Sequence, residues 1–279
     1  MSKLNAIKTF RDLLAFLTII PLGQTEDFIA TSARNMWLFP LIGGLIGLLG
    51  AGYFLGCSFI VGYLLAAINF LLHIPTAWLA RILPAAMTLA FLLVFTGFQH
   101  FDGLVDLGNA IGLKKVEDRR EIAHRWVVTY KGGFLAIFVE FSAFAGLLSL
   151  SDWNVALRAL IVAELAAKLA MVTIVWRGNP AHKGLGSRFI ENAKRRLNIA
   201  AYVTAFVISF LLLGWAGLIV ASVAVGFGLF MVWVGKRVFG GVSGDMIGAT
   251  NEATRALTLV LVAAVSVFAS VLFGGALFF

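Results

Sequence analysis

The sequence predicts an all-α fold: a polytopic integral membrane helical bundle of about seven transmembrane helices, plus an N-terminal amphipathic interfacial helix. Three observations predict it. Hydrophobic residues make up 61% of the chain and charged residues only 13%, with a mean hydropathy of +0.96, whereas a soluble domain carries about a quarter charged residues. The apolar residues fall in long runs, at 37–57, 58–72, 83–99, 133–150, 154–175, 199–217, 218–234 and 257–276, most of them near the ~20 residues that cross a bilayer core. Of the 22 Lys and Arg, 15 lie in segments 100–132, 176–198 and 235–255, and the first 36 residues add four. The positive-inside rule puts those regions together on the cytoplasmic side. The runs do not alternate with the period of two that a β-barrel requires.

Taken in order, residues 1–36 form the interfacial segment. Lys3, Lys8 and Arg11 are interspersed with Leu4, Ile7, Phe10, Leu14, Phe16 and Leu17, the spacing of a helix lying on a membrane surface, and no small-residue cleavage site follows. Residues 37–72 are too long for one straight span, yet two full crossings there would put 100–132 outside. Segment 58–72 is therefore read as a half-span or broken continuation of 37–57. The runs from 83–99 onward then supply six more crossings, with the C-terminus outside. Gly43, Gly44, Gly47 and Gly50 suit close helix packing in lipid. Cys57, the single cysteine, lies in an apolar stretch, which excludes disulfide, zinc and iron–sulfur roles. The longest polar loop, roughly 30 residues, is too short for a core of its own. The chain, 1–279, reads as a single membrane-embedded catalytic domain whose chemistry sits in the loops 100–132, 176–198 and 235–255. The basic residues are scattered among spans and lack interleaved stacking aromatics, which speaks against a nucleic-acid partner.

The first loop opens with His100-Phe101-Asp102-Gly103-Leu104-Val105-Asp106. On a helix, Asp102 and Asp106 project from one face, with Asn109 on that face as a neutral third donor. Two anions at a membrane boundary call for a counter-charge, which a hard cation such as Mg²⁺ supplies while leaving positions for substrate phosphate. The plainer reading is a helix N-terminus that Asp102 caps and Asp106 favours electrostatically. Glu117, Asp118 and Glu121 begin another helix, and Lys114, Lys115, Arg119 and Arg120 read individually as a solvated face. In the second loop, Gly184 and Gly186 let backbone N–H groups approach a phosphate, and Lys183 and Arg188 supply charge. Lys194-Arg195-Arg196 is an ordinary basic cluster that meets anionic membrane lipid. In the third loop, Asp245 and Glu252 are seven apart on one helical face with Asn251 beside them. Acids at membrane depth are costly unless used. His100 and His182 fit a general base or a phosphate ligand, His124 is ambiguous, and no His spacing suggests zinc. Glu140, Glu164 and Lys168 are ionisable groups inside spans. Glu164 and Lys168, four apart, are placed to neutralise each other.

Together these segments resemble the cobalamin synthase, or adenosylcobinamide-GDP ribazoletransferase, family. The resemblance rests on Phe16-Leu17-Thr18-Ile19-Ile20-Pro21, His100-x-Asp102-Gly103-Leu104-x-Asp106, Gly184-Leu185-Gly186-Ser187-x-Phe189 and Gly240-Gly241-Val242-Ser243-Gly244-Asp245-x-x-Gly248-Ala249-x-Asn251-Glu252. Their order covers nearly the whole chain, and Pro180-Ala181-His182-Lys183-Gly184 looks closer to archaeal members than to bacterial ones. It implies a Mg²⁺-dependent enzyme that joins adenosylcobinamide-GDP to α-ribazole or its 5′-phosphate and releases GMP. The implied metal ligands are Asp102 and Asp106, with His100, Asp245 and Glu252 also catalytic; substrate binding falls to Asn109, Lys183, Gly184, Gly186, Arg188 and Asn251. Two departures stand out: Asn109 replaces a usual third Asp, and 123–129 replaces a stretch usually reading Met-basic-Asp-x-Arg-Ile-Gly.

Two other functions fit some of these features. Another nucleotide-activated alcohol or lipid phosphotransferase would also pair Asp residues with basic loops. A transporter would place its acids at mid-span, whereas these cluster at span ends. The Gly-rich spans are compatible with an oligomer.

Overall fold

The computed structural model describes residues 3–22, 28–76, 78–123, 125, 127–193 and 196–273. His124, Lys194 and Arg195 lie outside the described residues. The helices are α1 (Lys3–Leu17), α2 (Phe28–Arg34), α3 (Phe39–Leu72), α4 (Leu79–Phe95), α5 (Gln99–Ala110), α6 (Val116–Ala123), α7 (Tyr130–Ser149), α8 (Trp153–Arg177), α9 (Leu185–Ala193), α10 (Asn198–Phe239) and α11 (Gly244–Phe273).

Helix α8 is the axis of the bundle, packed against α3, α10 and α11 and buried along nearly its whole length. Asp152 caps it, its side chain accepting from the N–H groups of Asn154 and Val155. Its alanines, and glycines on the facing helices, allow backbones to meet. A Cβ on Gly47 would lie 2.6 Å from Cα of Ile161, and one on Gly228 would lie 3.0 Å from the carbonyl oxygen of Ala170.

Helix α3 corrects one expectation. It runs unbroken from Phe39 to Leu72, so 58–72 continues 37–57 without a break. The stretch has no proline or polar breaker before His73, which closes the helix in the left-handed conformation at φ 54. At about 51 Å this helix exceeds the ~30 Å hydrocarbon core. Beyond Ser58 only Leu65 is buried.

Helix α10 holds two limbs. Gly214 has non-helical angles (φ 56, ψ −136), which only glycine adopts without strain. A Cβ on Gly217 would collide with the carbonyl oxygen of Ser209, so the chain folds back on itself there. Tyr202 on the first limb donates to Thr173 of α8 at 3.0 Å, while Gly228 on the second lies against the same threonine. The two apolar runs 199–217 and 218–234 are these antiparallel limbs.

Among the described residues, five helices are long and apolar enough to cross a membrane, or six if the α4–α5 pair, bent by 93°, is taken as one span. Either number takes α10 as one helix, although Gly214 divides it into two limbs; the seven crossings expected are one more than six. Gly97 and Phe98, at φ 68 and 56, make the α4–α5 bend and lay α5 across the end of the bundle. Helix α1 buries Asp12, Leu13 and Leu17 against the bundle. Phe16 stacks within a cluster with Phe39 and Phe189.

Candidate active site

The three polar segments meet at one end of the bundle, and backbone contacts bring them there. Helices α5 and α11 cross at van der Waals range. A Cβ on Gly103 would collide with the carbonyl oxygen of Asp245 and stand 2.8 Å from the N of Ala249, and one on Gly248 would lie 3.1 Å from Cα of His100. The loops before α9 and α11 zip together as a short parallel bridge, Pro180 beside Val242. Val242 N–H donates to Asn179 O at 2.8 Å, and Ala181 N–H to Val242 O at 3.0 Å. Gly241 allows this approach, since a Cβ there would stand 2.6 Å from Ala181 N.

The first loop joins the same end by another route. Arg119 donates to the carbonyls of Leu113, Arg237 and Val238, and Arg120 twice to that of Phe239. The solvated face expected for these two arginines is therefore a C-terminal cap on α10, where carbonyls lack helical partners and cations are favoured. Glu117, Asp118 and Glu121 fall in α6, as expected.

A cavity of about 400 Å³ lies where these pieces meet. His100 of α5, His182, Lys183 and Gly184 of the second loop, and Ser243 and Asp245 of the third line it, with Phe16 and Phe39 forming an apolar wall. Ser187 Oγ bonds both ends of Gly184, accepting from its N–H at 3.1 Å and donating to its carbonyl at 2.9 Å. That fixes the turn into α9. A Cβ on Gly184 would meet only His182 Nε2, in ordinary contact at 3.9 Å, but one on Gly186 would lie 2.9 Å from Gly244 N. Gly186 thus serves the packing of α9 against α11. Arg188 is exposed one turn into α9.

Asp102 and Asp106 do share a face of α5, the first exposed and the second half-buried. Burial raises both carboxyls above their ordinary value. Asp106 is pushed up to about 7, mainly by burial and further by the charges of Asp245 and Asp102. Asp245, on the cavity wall, thus links the cavity to the Asp pair. Among the described residues no group of three or more His, Cys, Asp or Glu is close enough to hold a metal ion by itself. Asn109, on the same face, is buried; its side chain hydrogen-bonds Asp106, which partly offsets the rise of that carboxyl, and it also anchors the next loop. Its carbonyl accepts from Thr129 N–H at 2.9 Å and Oγ1 at 2.7 Å, and its amide donates to Val127 O.

Glu252 and Asn251 lie deeper. Asn251 donates to Glu252 Oε1 at 3.0 Å, and Glu252 pairs with Arg255. Arg255 also reaches Glu140 of α7 at 3.2 Å and Glu164 of α8 at 3.3 Å, and Lys168 bonds Glu164 at 2.7 Å. The Glu164–Lys168 pair was legible from its spacing. Arg255 was not singled out, although it stands three residues after Glu252, one helical turn away. Gln99 on the cavity rim was also missed.

The family model described as cobalamin-5-phosphate synthase matches residues 9–263. Three similar curated proteins are each named adenosylcobinamide-GDP ribazoletransferase. The one from Thermococcus onnurineus is 31% identical, covering 95% of this chain and 100% of its own. The one from Methanocella arvoryzae is 30% identical over 94% and 97%, and that from Methanosarcina barkeri 28% identical over 91% of each. No solved structure matches.

Proposed function

The chain belongs to the cobalamin-5-phosphate synthase family, and from that premise we propose that it is an adenosylcobinamide-GDP ribazoletransferase. It joins adenosylcobinamide-GDP to α-ribazole, or to α-ribazole 5′-phosphate, and releases GMP. The observation that carries this reading is the cavity at which all three polar segments meet, with Asp245 on its wall near enough for its charge to act on Asp106. About 400 Å³ suits the reacting end of the substrates, a nucleoside and its phosphates. The corrin macrocycle rests outside it.

The donor set fits Mg²⁺. Asp102 and Asp106, one turn apart on α5, would hold the ion with hard oxygen donors, and the repulsion that the Asp102 and Asp245 charges exert on Asp106 is what a dication would relieve. Mg²⁺ commonly takes only one or two carboxylates and completes its shell with water and substrate phosphate, which agrees with a site that is not closed by protein ligands alone. Bound there, Mg²⁺ would supply positive charge to offset the negative charge developing on the diphosphate.

The chain's own residues do the rest. Lys183, exposed at the cavity edge, attracts and orients the diphosphate. The wall of Phe16 and Phe39 excludes water and takes the flat base of α-ribazole. The ribazole hydroxyl oxygen forms a bond to the phosphorus nearer the corrinoid, and the bond from that phosphorus to the bridging oxygen breaks. GMP departs with that oxygen. Asp245 takes the hydroxyl proton. The membrane is the cell membrane, the cavity faces the cytoplasm, and anionic lipid meets the basic loops.

Purified protein supplied with adenosylcobinamide-GDP, α-ribazole and Mg²⁺ should release GMP in step with the new corrinoid product. Absence of GMP with correctly folded protein would sink the reading.

A further inference from the structure

The bundle buries a guanidinium that the proposed chemistry does not use. Arg255 sits in α11, 0% exposed, eleven residues into a membrane-crossing helix. It holds carboxylates from three helices: both oxygens of Glu140 on α7, at 3.2 Å each, Oε1 of Glu164 on α8, at 3.3 Å, and Oε2 of Glu252 on its own helix. Lys168 takes the other oxygen of Glu164. Burying such a group is expensive in a membrane. A buried ion pair is weak evidence for stability, since apolar residues of the same volume often do as well.

The other end of this network reaches the cavity. The other oxygen of Glu252, Oε1, which accepts from Asn251 at 3.0 Å, lies 3.8 Å from Nδ1 of His100. His100 lines the cavity, and its Nδ1 is buried with no hydrogen-bond partner. The His100 backbone is fixed by Gly248 beneath it. What remains adjustable is the imidazole, and the Glu252 carboxylate at 3.8 Å is a charged group within electrostatic reach of its Nδ1.

We infer that Arg255 is a positioning residue for the transfer reaction: it locks Glu252 against α7 and α8, and Glu252 in turn sets the imidazole of His100 on the cavity wall. Only a planar fork reaches several carboxylates at once; a lysine keeps the charge but not the geometry. Glu140 belongs to the device as the clamp on the far side. This inference rests on the proposed transferase reading, because the effect it describes is on that reaction.

The test uses full-length protein in detergent or nanodiscs. Arg255→Lys and Glu140→Gln should fold, with thermal transitions close to wild type. Arg255→Lys should lower kcat by about 10- to 100-fold with KM for both substrates nearly unchanged, the mark of a misplaced reacting group rather than lost binding. Glu140→Gln should lower kcat less. In ¹⁵N-histidine spectra, the His100 signals, assigned by their loss in His100→Gln, should move in Arg255→Lys and in Glu252→Gln. Unchanged kcat per folded molecule in Arg255→Lys, or a His100 signal that ignores both substitutions, overturns the inference. The spectra need no turnover: a wild type that releases no GMP refutes the transferase reading while the histidine signals still decide the coupling.

Discussion

Gly103 and Asp245 touch through their backbones: a Cβ on Gly103 would run into the Asp245 carbonyl oxygen. This contact makes α5 and α11 one rigid unit and sets the face of Asp102 and Asp106 toward Asp245. Gly103→Ala should therefore spread the carboxylates apart. Overpacking of this kind costs about 1–3 kcal/mol, so the protein should still fold while turnover drops steeply. The check is GMP release per folded molecule, and an alanine variant of wild-type activity would refute the crossing as the device that assembles the site.

Asp106 gives the site a pH dependence. Its carboxyl is pushed up to about 7 by burial and by the Asp245 and Asp102 charges. A cation must displace the proton, so Mg²⁺ affinity should fall as pH drops through about 7, one proton being released per ion bound. In the metal-free protein the sign is the reverse of an ordinary ion-paired carboxylate. The native state keeps the proton over the window from about 4 to about 7 in which the unfolded chain has lost it, so stability declines as pH rises through that window. Calorimetric Mg²⁺ titration at pH 6 and pH 8 should show tighter binding at the higher pH. Asp106→Asn should remove that dependence and, like Asp102→Asn, abolish turnover. Near-normal turnover of either variant at saturating Mg²⁺ would overturn the ligand assignment.

The shared end of the three polar segments predicts their sidedness. Ser187 and Ser243 are buried and make poor labelling sites, but Lys115, Arg188 and Lys236 are exposed. In a Cys57→Ala background, single cysteines at these three positions should react with an impermeant reagent from the same side of the membrane. A cysteine at Ser151, exposed in the turn between α7 and α8, should react from the other. Labelling of Lys115→Cys and Lys236→Cys from opposite sides would contradict the cap that Arg119 and Arg120 place on α10.

Much of this was legible in the sequence, because composition and charge placement act over whole segments. The spans, the gathering of the basic loops and the helix carrying Asp102 and Asp106 follow from those. The course of α3 was not legible: an apolar run of 34 residues looks the same whether it breaks or continues, and only the neighbours of its first half fix it. Arg120 was misread for a related reason. An exposed-looking arginine suits solvent, but here it meets the Phe239 carbonyl. Such long-range contacts leave no local signal. Arg255 did leave one, a cation a helical turn beyond Glu252, which the count of positive residues absorbed.

The last prediction concerns the departures from the family pattern at Asn109 and 123–129. Carboxylate count alone suggests that Asn109→Asp would tighten Mg²⁺ binding. The contacts of Asn109 predict otherwise. Its amide donates to Val127 O, and its carbonyl takes both the N–H and the hydroxyl of Thr129, while Thr129 in turn caps α7 through Gly132 N–H. An aspartate keeps the two acceptor bonds, loses the donation to Val127 O and to Asp106, and brings its charge against both. Leaving a buried group unsatisfied costs about 1–3 kcal/mol, so Asn109→Asp should lower the thermal transition and reduce turnover, with no gain in Mg²⁺ affinity. Arg125 is different. It pairs with Glu121 on an exposed helical face, an interaction usually worth under about 1 kcal/mol, and Arg125→Asp should cost little stability and little activity. Thermal melts and Mg²⁺ titrations of GMP release on both variants decide it. If Asn109→Asp binds Mg²⁺ more tightly at unchanged stability, the side chain faces the metal during turnover and its anchoring of 127–129 is dispensable.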